Sequence, residues 1–317
     1  MDFSEDPVIE AVRDTVHRVY EAEIAPKIAA YEASGDFPYE IIRAMGDAGL
    51  FGAAFPEEMG GTAMGFAAVG TIAEEISRLS PGFGYAMNMQ AMTCPFTILN
   101  WGTAEQAQHF VPELISGRKI GMFALTEPGG GSDPGGAMRT VAKRDGDSYV
   151  LNGSKIWITF SNAADVGVLF AKTDPDVGKR GISAFIVEPK KTPGFTARPI
   201  EMRPLSNCLR SCEVFLEDFR VPAENLLGKE GEGLKVALNA LEYGRLTVSG
   251  RLIGLAQACF DETLRYAQER EVGGQKIGAY QMVQQPIADV AVGIDAARLM
   301  MRRMAWLMDQ GERSTRA

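Results

Sequence analysis

The sequence predicts an α+β fold whose parts follow in the order helical, β, helical. Apolar residues recur at helical spacing up to about residue 120, and β-forming runs fill the stretch to about residue 225. Helical spacing then returns in two long patterns, over about 232–270 and 281–308. We therefore expect an all-helical N-terminal domain (1–119), a middle antiparallel β-domain forming a small barrel or sandwich (120–228), and a helical C-terminal domain (229–317).

Local signals mark the helices of the first third. Residues 8–19 carry apolar side chains at helical spacing. Pro38 is suited to the first turn of a second helix. Thr103 and Gln106 form a capping-box pattern at the start of another. The uncharged stretch 80–104 is interrupted by Pro, Gly and Asn, so we interpret it as buried helix and loop and expect no membrane span.

Strand-like runs follow one another through the middle domain. The segments 166–173, 182–189 and 212–222 are rich in β-branched and aromatic residues. Asn152-Gly153 lies between two further β-rich runs, and this dipeptide is a strong signal for a tight turn. We therefore predict a hairpin at Asn152-Gly153.

Charge and cysteine content exclude several classes of function. The 317 residues include 41 Asp and Glu against 32 Lys and Arg, a net charge of −9, so we expect no nucleic-acid partner. The N-terminal stretch has neither a basic start nor an apolar run, which predicts a cytoplasmic protein without a leader. The cysteines lack a disulfide-framework pattern, and no histidine lies near Cys208 or Cys212, so we expect no metal site.

The stretch ALTEPGGGSDPGG, residues 124–136, concentrates five glycines in one place. Glycine lets a ligand approach the main chain, and consecutive N–H groups can form a concavity for an anion. This makes the stretch a candidate diphosphate cradle, with Ser132 as an added donor. It matches neither the Walker nor the Rossmann pattern. The alternative is an ordinary loop between domains.

The stretch KIWIT, residues 155–159, is a second candidate. Strand alternation places Ile156 and Ile158 on one face and Lys155, Trp157 and Thr159 on the other. Trp157 beside Thr159 could stack on a planar ring and hydrogen-bond its edge. The alternative is a tryptophan of the hydrophobic core.

Four motifs in order, ALTEPGGGSDPGG, NGSKIWIT, FLEDFRVP and LLGKEGEGLKVALNALEYGRL, resemble the acyl-CoA dehydrogenase family. The resemblance covers essentially the whole chain, and TEPGxGSD together with WIT is highly specific. Members of that family are flavoenzymes with a helical N-terminal domain, a β-domain and a C-terminal helical bundle. The resemblance implies that this chain binds FAD and that its C-terminal bundle is truncated.

By position, the resemblance implies a flavin site around the glycine-rich stretch. Leu125 and Thr126 would lie near the pyrimidine edge of the ring, Ser132 at the diphosphate, and Trp157 and Thr159 against the isoalloxazine. Two further residues would reach the FAD of a neighbouring subunit. The full implied set is Phe123, Leu125, Thr126, Gly131, Ser132, Trp157, Thr159, Arg270 and Gln281.

The sequence departs from the family after Arg270. Family members commonly carry Phe-Gly where this chain has Gly273-Gly274. Losing the aromatic residue at Gly273 would loosen the contact with the neighbouring subunit.

The implied reaction is α,β-dehydrogenation of an acyl-CoA, which needs a carboxylate to remove the α-proton. The family's usual carboxylate lies beyond residue 317, and the position used by a minority variant is Gly244. Glu242 is a weak candidate, because two residues along a helix correspond to about 200° of rotation. We therefore name no catalytic residue. Substrate contacts are expected from Ser132, Glu242, Tyr243 and Arg245; alternatively, Glu242 and Arg245 form a surface ion pair.

The resemblance also implies partners. We expect an acyl-CoA substrate, an electron-transfer flavoprotein as electron acceptor, and a homotetramer or homodimer, or a heteromer with a longer homologue. The alternative functions are a non-catalytic subunit that binds FAD or acyl-CoA, and a flavin oxidase or monooxygenase on the same fold. A globular protein without any cofactor is a further alternative.

Overall fold

The computed structural model describes residues 6–202 and 206–312. The expectation of no leader depends partly on residues 1–5, which lie outside the described residues. The helices are α1 Pro7–Val19, α2 Ile28–Ser34, α3 Tyr39–Asp47, α4 Gly65–Leu79, α5 Gly84–Met87, α6 Pro95–Trp101, α7 Ala104–Ile115, α8 Pro134–Ala137, α9 Gly233–Glu269 and α10 Gln281–Asp309, with π-helical turns at Tyr20–Ile24 and Asn88–Thr93. The strands are β1 Gly121–Ala124, β2 Val141–Asp145, β3 Ser148–Thr159, β4 Val166–Lys172, β5 Ile182–Val187, β6 Phe195–Pro199, β7 Ser211–Pro222, β8 Leu226–Leu227, β9 Glu271–Val272 and β10 Gln275–Lys276. The predicted α+β class and its helical, β, helical order are confirmed.

Side-chain caps mark the starts of two N-terminal helices, α1 and α7. The Asp6 side chain accepts a hydrogen bond from the Val8 amide at the start of α1. At α7 the Thr103 hydroxyl accepts from the Gln106 amide at 3.2 Å, and the Gln106 side chain accepts from the Thr103 amide at 2.9 Å. The capping box is therefore confirmed. The Gln106 amide group also donates to the Glu224 carbonyl, which ties α7 to the chain after β7.

The middle sheet runs in the order β6-β7-β3-β2-β4-β5-β8. Most neighbouring strands are antiparallel, as predicted, but β1 and β2 pair with β4 in parallel. The strand β1 enters the sheet directly from the helical part of the chain, and its partner β4 comes some forty residues later in sequence. A pairing over that separation leaves no local sequence signal, so the parallel strands could not be predicted.

The hairpin predicted at Asn152-Gly153 is wrong. Both residues lie inside the continuous strand β3, and the turn falls earlier, between Asp145 and Ser148. Gly153 sits at a register shift against β7 with a φ of 151°. A Cβ on Gly153 would lie 2.7 Å from the Cα of Thr140. This glycine therefore allows a bulge and a close backbone approach, not a turn.

The two long C-terminal helices are confirmed as α9 and α10. Helix α9 packs against α4 with very little space between the backbones: a Cβ on Gly250 would lie 2.7 Å from the Gly70 carbonyl oxygen. Helix α10 is tied to α4 by an ion pair, since the Arg298 Nε lies 2.8 Å from a carboxylate oxygen of the buried Glu74. The long helices are thus joined directly to the N-terminal part of the fold.

No helix within the described ranges is long and apolar enough to cross a membrane. Residues 6–202 and 206–312 contain no group of three or more Cys, His, Asp or Glu side chains able to hold a metal ion. The cysteines are free thiols, and complete burial raises the pKa of the Cys94 thiol to about 12.

Candidate functional site

The glycine-rich stretch begins where β1 ends. The side chain of Phe123 is half-buried and contacts Phe170 of β4, with ring centres 5.0 Å apart. The Gly121 amide donates to the Gln90 side chain at 2.6 Å, which joins β1 to the π-helical turn Asn88–Thr93. Leu125, the next residue after β1, is buried. The strand therefore delivers the glycine-rich stretch from a fixed point between the sheet and the helices.

A buried ion pair anchors the start of this stretch to β3. The Lys155 Nζ lies 2.7 Å from the Glu127 carboxylate and donates to the Leu125 carbonyl at 3.3 Å. Glu127 also accepts from the amides of Arg139 and Thr140, at 2.5 Å and 3.1 Å. One carboxylate thus holds both ends of the stretch. These contacts agree with the interpretation of Glu127 as a residue that shapes the loop.

The environment of the pair shifts both pKa values. Burial lowers the pKa of Lys155 to about 8, although the nearby Glu127 charge acts in the opposite direction. Burial by itself raises the pKa of Glu127, but the Lys155 charge and the hydrogen bonds outweigh it, so its pKa is lowered. At neutral pH both groups are therefore charged and paired.

Trp157 is presented at the surface by a bulge in β3. Its indole is 52% exposed, its φ is 62°, and the pairing with β7 shifts register between Lys155 and Ile158. The extra residue reverses the alternation at this point, so Lys155 lies on the buried side with Ile158. The prediction that Lys155 shares a face with Trp157 is wrong, and so is the alternative of a core tryptophan.

Thr126 and Thr159 both lie near Trp157. Thr159 follows Trp157 by two residues in β3, and Thr126 is bonded to the residue before it. The Ile156 amide donates to the Thr126 carbonyl at 2.9 Å, so the glycine-rich stretch is bonded next to Trp157. Thr159 is half-buried, and its hydroxyl lies 3.2 Å from the Ser211 hydroxyl. The structure thus brings the two sequence candidates, residues 124–136 and 155–159, into one place.

Gly129 and Gly131 have room for a side chain. Neither has a positive φ, and a Cβ on either would meet its nearest neighbour at ordinary van der Waals distance, 3.7 Å or 3.8 Å. The fold itself therefore does not require glycine at these two positions. Gly129, Gly131 and Ser132 are exposed, whereas the Gly130 amide donates to the Glu127 carbonyl at 3.1 Å. An exposed glycine backbone and a hydroxyl, on a segment bonded next to an exposed indole, fit a ligand that combines a diphosphate with a planar ring.

Asp133 lies near the end of the glycine-rich stretch and caps the short helix α8. Its carboxylate accepts from the Gly136 amide at 3.1 Å and lies 2.7 Å from the Lys179 ammonium. Both side chains are more than half exposed, so the ion pair itself adds little stability. The hydrogen bond to the backbone fits the interpretation of Asp133 as a residue that shapes the loop.

On α9, Gly244 packs closely against the π-helical turn Asn88–Thr93. Gly244 is buried, and a Cβ there would lie 3.1 Å from the Thr93 methyl and 3.3 Å from the Asn88 side-chain oxygen. The candidates beside it are oriented differently: Glu242 is half-buried and Arg245 is exposed. A side chain at residue 244 would therefore require the Thr93 and Asn88 side chains to shift by a few tenths of an ångström.

Tyr243 joins a cluster of aromatic rings. Its ring centre lies 4.6 Å from that of Phe96 and 5.6 Å from that of Phe66. Burial raises the pKa of the Tyr243 hydroxyl, and the Glu242 charge adds to this effect. The hydroxyl is therefore neutral at physiological pH.

Arg270 and Gln281 lie at the connection between α9 and α10, and both side chains are exposed. The connection contains a hairpin of β9 and β10 whose turn residues, Gly273 and Gly274, have φ values of 62° and 83°. Two consecutive positive φ values favour glycine at both positions.

Sequence reasoning missed the anchoring role of Lys155. Simple strand alternation places Lys155 on the same face as Trp157, which is the wrong face. The available signal was its combination with Glu127, because a buried lysine requires a carboxylate partner.

Comparison with known proteins identifies the family. Models of the N-terminal, middle and C-terminal domains of acyl-CoA dehydrogenase match residues 7–118, 122–219 and 231–317. The chain is 38% identical over 314 residues to a glutaryl-CoA dehydrogenase of Desulfococcus multivorans, covering 98% of this chain and 80% of the relative. It is 38% identical over 298 residues to a mitochondrial short-chain specific acyl-CoA dehydrogenase of Mus musculus, covering 94% and 72%.

Solved structures agree with this result. The fold matches a chain described as an electron transferring flavoprotein of Acidaminococcus fermentans with a TM-score of 0.93 and 37% identity, covering 99% of this chain and 82% of the other. The chain belongs to the acyl-CoA dehydrogenase family, which confirms the resemblance seen in the sequence. It is an oxidoreductase of the class that acts on CH–CH bonds, and FAD is the cofactor of its family.

Proposed function

We propose that this chain binds FAD between the glycine-rich stretch and Trp157 and carries out α,β-dehydrogenation of a short acyl-CoA. The observation that carries the proposal is the pairing of an exposed Trp157 with a glycine-rich stretch that the Lys155–Glu127 ion pair holds in place. The relatives include enzymes named for glutaryl-CoA and for short-chain acyl-CoA, which supports a short acyl group.

The proposed flavin contacts follow from the surfaces present. Trp157 provides an exposed ring for stacking on the flavin, and we propose that Thr126 and Thr159 hydrogen-bond the edge of the flavin ring. The exposed Gly129, Gly131 and Ser132 would offer backbone N–H groups and the Ser132 hydroxyl to the diphosphate. FAD, when bound, supplies the acceptor for the two electrons removed from the substrate. Phe123, Leu125, Gly131, Arg270 and Gln281 complete the proposed cofactor set.

The proposed substrate contacts lie at the start of α9. Arg245 is exposed and cationic, so it suits the anionic part of coenzyme A, and Ser132 lies at the end of the glycine-rich stretch. The Tyr243 ring forms part of the apolar wall with Phe96. Glu242 is proposed to orient this region and not to act as the base, since residue 244 faces the π-helical turn and residue 242 is rotated away from it.

A non-catalytic FAD- or acyl-CoA-binding subunit is the second candidate. The observation in its favour is Gly244, which is buried against Thr93 and Asn88 and carries no carboxylate. Under this alternative a longer homologous chain would supply the chemistry.

The proposal also includes the partners and the domains. We propose a homo-oligomer that transfers electrons to an electron-transferring flavoprotein. The proposed domain limits are 1–119, 120–228 and 229–317.

Anaerobic addition of butyryl-CoA and of glutaryl-CoA to the FAD-loaded chain tests the proposal. Loss of the visible absorbance of oxidised flavin is expected for a working dehydrogenase. A spectral shift without that loss would favour the binding subunit. Reoxidation is then compared with electron-transferring flavoprotein and with oxygen; efficient reoxidation by oxygen alone would indicate an oxidase or monooxygenase instead.

A further inference from the structure

The π-helical turn Asn88–Thr93 contacts both of the elements that carry the proposed site. On one side it is bonded to β1, the strand that leads into the glycine-rich stretch. On the other side it is bonded to α9, the helix that carries Tyr243 and Arg245. Short π-helical segments are rare and are frequently found at functional sites. The contacts on the two sides show what this turn holds in place.

Gln90 attaches the turn to β1. Its side chain is fully buried, and its side-chain oxygen accepts from the Gly121 amide at 2.6 Å. Its amide group donates to the carbonyls of Leu114 and Lys119, at 3.0 Å and 2.9 Å. One buried side chain therefore joins the turn, the end of α7 and the start of β1 through three directed hydrogen bonds.

The start of β1 also packs closely against the turn. A Cβ on Gly121 would lie 3.0 Å from the Cβ of Cys94, the residue that directly follows the turn, and 3.2 Å from the Gln90 side-chain oxygen. Contacts this short leave no room for an added side chain at residue 121. The hydrogen bonds of Gln90 and this packing together fix β1 relative to the turn.

Thr247 attaches the turn to α9. This residue is fully buried, and its hydroxyl donates to the Asn88 side-chain oxygen at 2.9 Å, with the Gly244 carbonyl at 3.0 Å. A Cβ on Gly244 would lie 3.1 Å from the Thr93 methyl. Helix α9 thus meets both ends of the same turn, at Asn88 and at Thr93.

The attached part of α9 is the part that carries the proposed substrate contacts. Thr247 follows Tyr243 by four residues, so the two lie about 6 Å apart along the helix axis. The Tyr243 ring in turn contacts Phe96, with ring centres 4.6 Å apart. Because a helix is rigid over one turn, the position of Thr247 determines the position of the proposed acyl wall.

One six-residue turn therefore links the strand of the proposed flavin site to the helix of the proposed substrate site. Reaction between two bound groups depends steeply on their separation, and a misplacement of about 1 Å can cost roughly a hundredfold in rate. An element that fixes β1 relative to α9 is suited to fix that separation.

We propose that the π-helical turn sets the separation between bound FAD and the acyl group, and that Thr247, through its bond to Asn88, is a positioning residue on the substrate side. This inference rests on the proposed flavin and acyl-CoA sites. It gives Thr247 no contact with substrate or cofactor, because its side chain is buried between α9 and the turn.

Thr247→Val tests the inference, because it removes the hydroxyl and keeps the branched shape of the side chain. The inert thioether S-butyl-CoA is titrated into the FAD-loaded chain, and the change in the visible absorbance of the flavin is recorded. We expect the affinities for FAD and for S-butyl-CoA to change less than about threefold. The absorbance change at saturation should fall by at least about half, and single-turnover bleaching by butyryl-CoA should slow at least about tenfold.

Three further variants serve as controls. Thr247→Ser keeps the hydroxyl and should behave as the natural protein does. Thr71→Val removes a buried hydroxyl of α4 that donates to the Ala67 carbonyl of the same helix, and it should change neither readout. Asn88→Ala removes the bond to Thr247 from its half-buried side, and its effect should not add to that of Thr247→Val.

Thermal unfolding and FAD content of each variant show whether the fold is retained. If Thr247→Val unfolds, Asn88→Ala carries the same test with the same expected results.

The outcomes separate this inference from the proposed function. An unchanged absorbance change in Thr247→Val, or equal losses in Thr71→Val, would overturn the positioning role while leaving the acyl-CoA site intact. Failure of the natural FAD-loaded chain to bind S-butyl-CoA, or binding without any absorbance change, would overturn the proposed site and the inference with it. Binding with an absorbance change but no bleaching by butyryl-CoA would favour the binding subunit, and the absorbance change then decides the inference.

Discussion

Glycine serves opposite purposes in two regions of this molecule. In the glycine-rich stretch, Gly129 and Gly131 have room for a side chain, with the nearest atoms 3.7 Å and 3.8 Å from a hypothetical Cβ. On α9, a Cβ on Gly250 would lie 2.7 Å from the Gly70 carbonyl of α4. Close packing explains the helical glycine, and the proposed flavin would explain the glycines of the stretch.

The two regions are also held in different ways. The α4–α9 contact depends on backbone surfaces that fit together over a long helix. The glycine-rich stretch is anchored instead by the buried Lys155–Glu127 pair, whose side chains are at most 5% exposed. We therefore expect clearly different losses in the free energy of unfolding for three changes: breaking the Lys155–Glu127 pair, adding a methyl at Gly250, and adding methyls at Gly129 and Gly131.

Removing the buried cation is expected to have the largest effect on stability. Lys155→Met leaves the Glu127 carboxylate buried without its partner, so we expect the free energy of unfolding to fall by about 3–5 kcal/mol. Urea unfolding of the two proteins measures this difference.

A double variant and a surface variant complete the test. Lys155→Met with Glu127→Leu removes both charges and should recover most of the loss. Lys191→Met removes an exposed lysine from its pair with Glu188 and should cost less than about 1 kcal/mol. Similar small losses for Lys155→Met and Lys191→Met would show that the buried pair does not anchor the stretch.

Filling the helical contact is expected to have the next largest effect. In Gly250→Ala the added methyl would meet Gly70 and the Ala73 Cβ, at 2.7 Å and 3.0 Å. We expect the free energy of unfolding to fall by about 1–3 kcal/mol, even though alanine favours a helix over glycine. Gly293→Ala on α10, where no atom lies within 4 Å, should instead be neutral or stabilising. A stabilising Gly250→Ala would argue against close α4–α9 packing.

The ion pair also predicts a pH dependence. The pKa of Lys155 in the folded chain is about 8, below its usual value of 10.5, so the folded state releases this proton first. Between about pH 8 and pH 10.5 the unfolded state binds more protons, so the Lys155 contribution to stability rises with pH. The difference in unfolding free energy between the natural protein and the Lys155→Met, Glu127→Leu variant should therefore grow over this window. A falling difference would contradict the pKa shift.

Adding methyl groups at Gly129 and Gly131 is expected to have the smallest effect on stability. The double variant Gly129→Ala, Gly131→Ala should change the free energy of unfolding of the FAD-free chain by less than about 0.5 kcal/mol, because the methyls would meet their nearest protein atoms only at ordinary van der Waals distances, 3.7 Å and 3.8 Å. Thermal unfolding measures the change. A large destabilisation would mean that the fold itself requires these glycines.

The sequence alone predicted the elements that depend on local signals. The spacing of apolar residues predicted α9 and α10, and the Thr103–Gln106 capping box is present as expected. The family also followed from local motifs, because residues that surround a cofactor cluster in short segments.

Features that depend on distant contacts could not be predicted. Gly153 looks like a turn residue, but its close neighbour Thr140 and the strand β7 make it a bulge. A further bulge before Ile158 turns Lys155 inward and Trp157 outward, which strand alternation predicts incorrectly for Lys155.

Titration of the FAD-free chain with FAD tests the central claim most directly. Quenching of protein fluorescence is followed for the natural protein, for Gly129→Ala, Gly131→Ala, and for the control Gly293→Ala. The account predicts tight binding by the natural protein and by the control, and at least about tenfold weaker binding by the loop variant at unchanged stability. Equal FAD affinity in all three proteins would show that the open glycines do not contact the cofactor and would contradict the proposed flavin site.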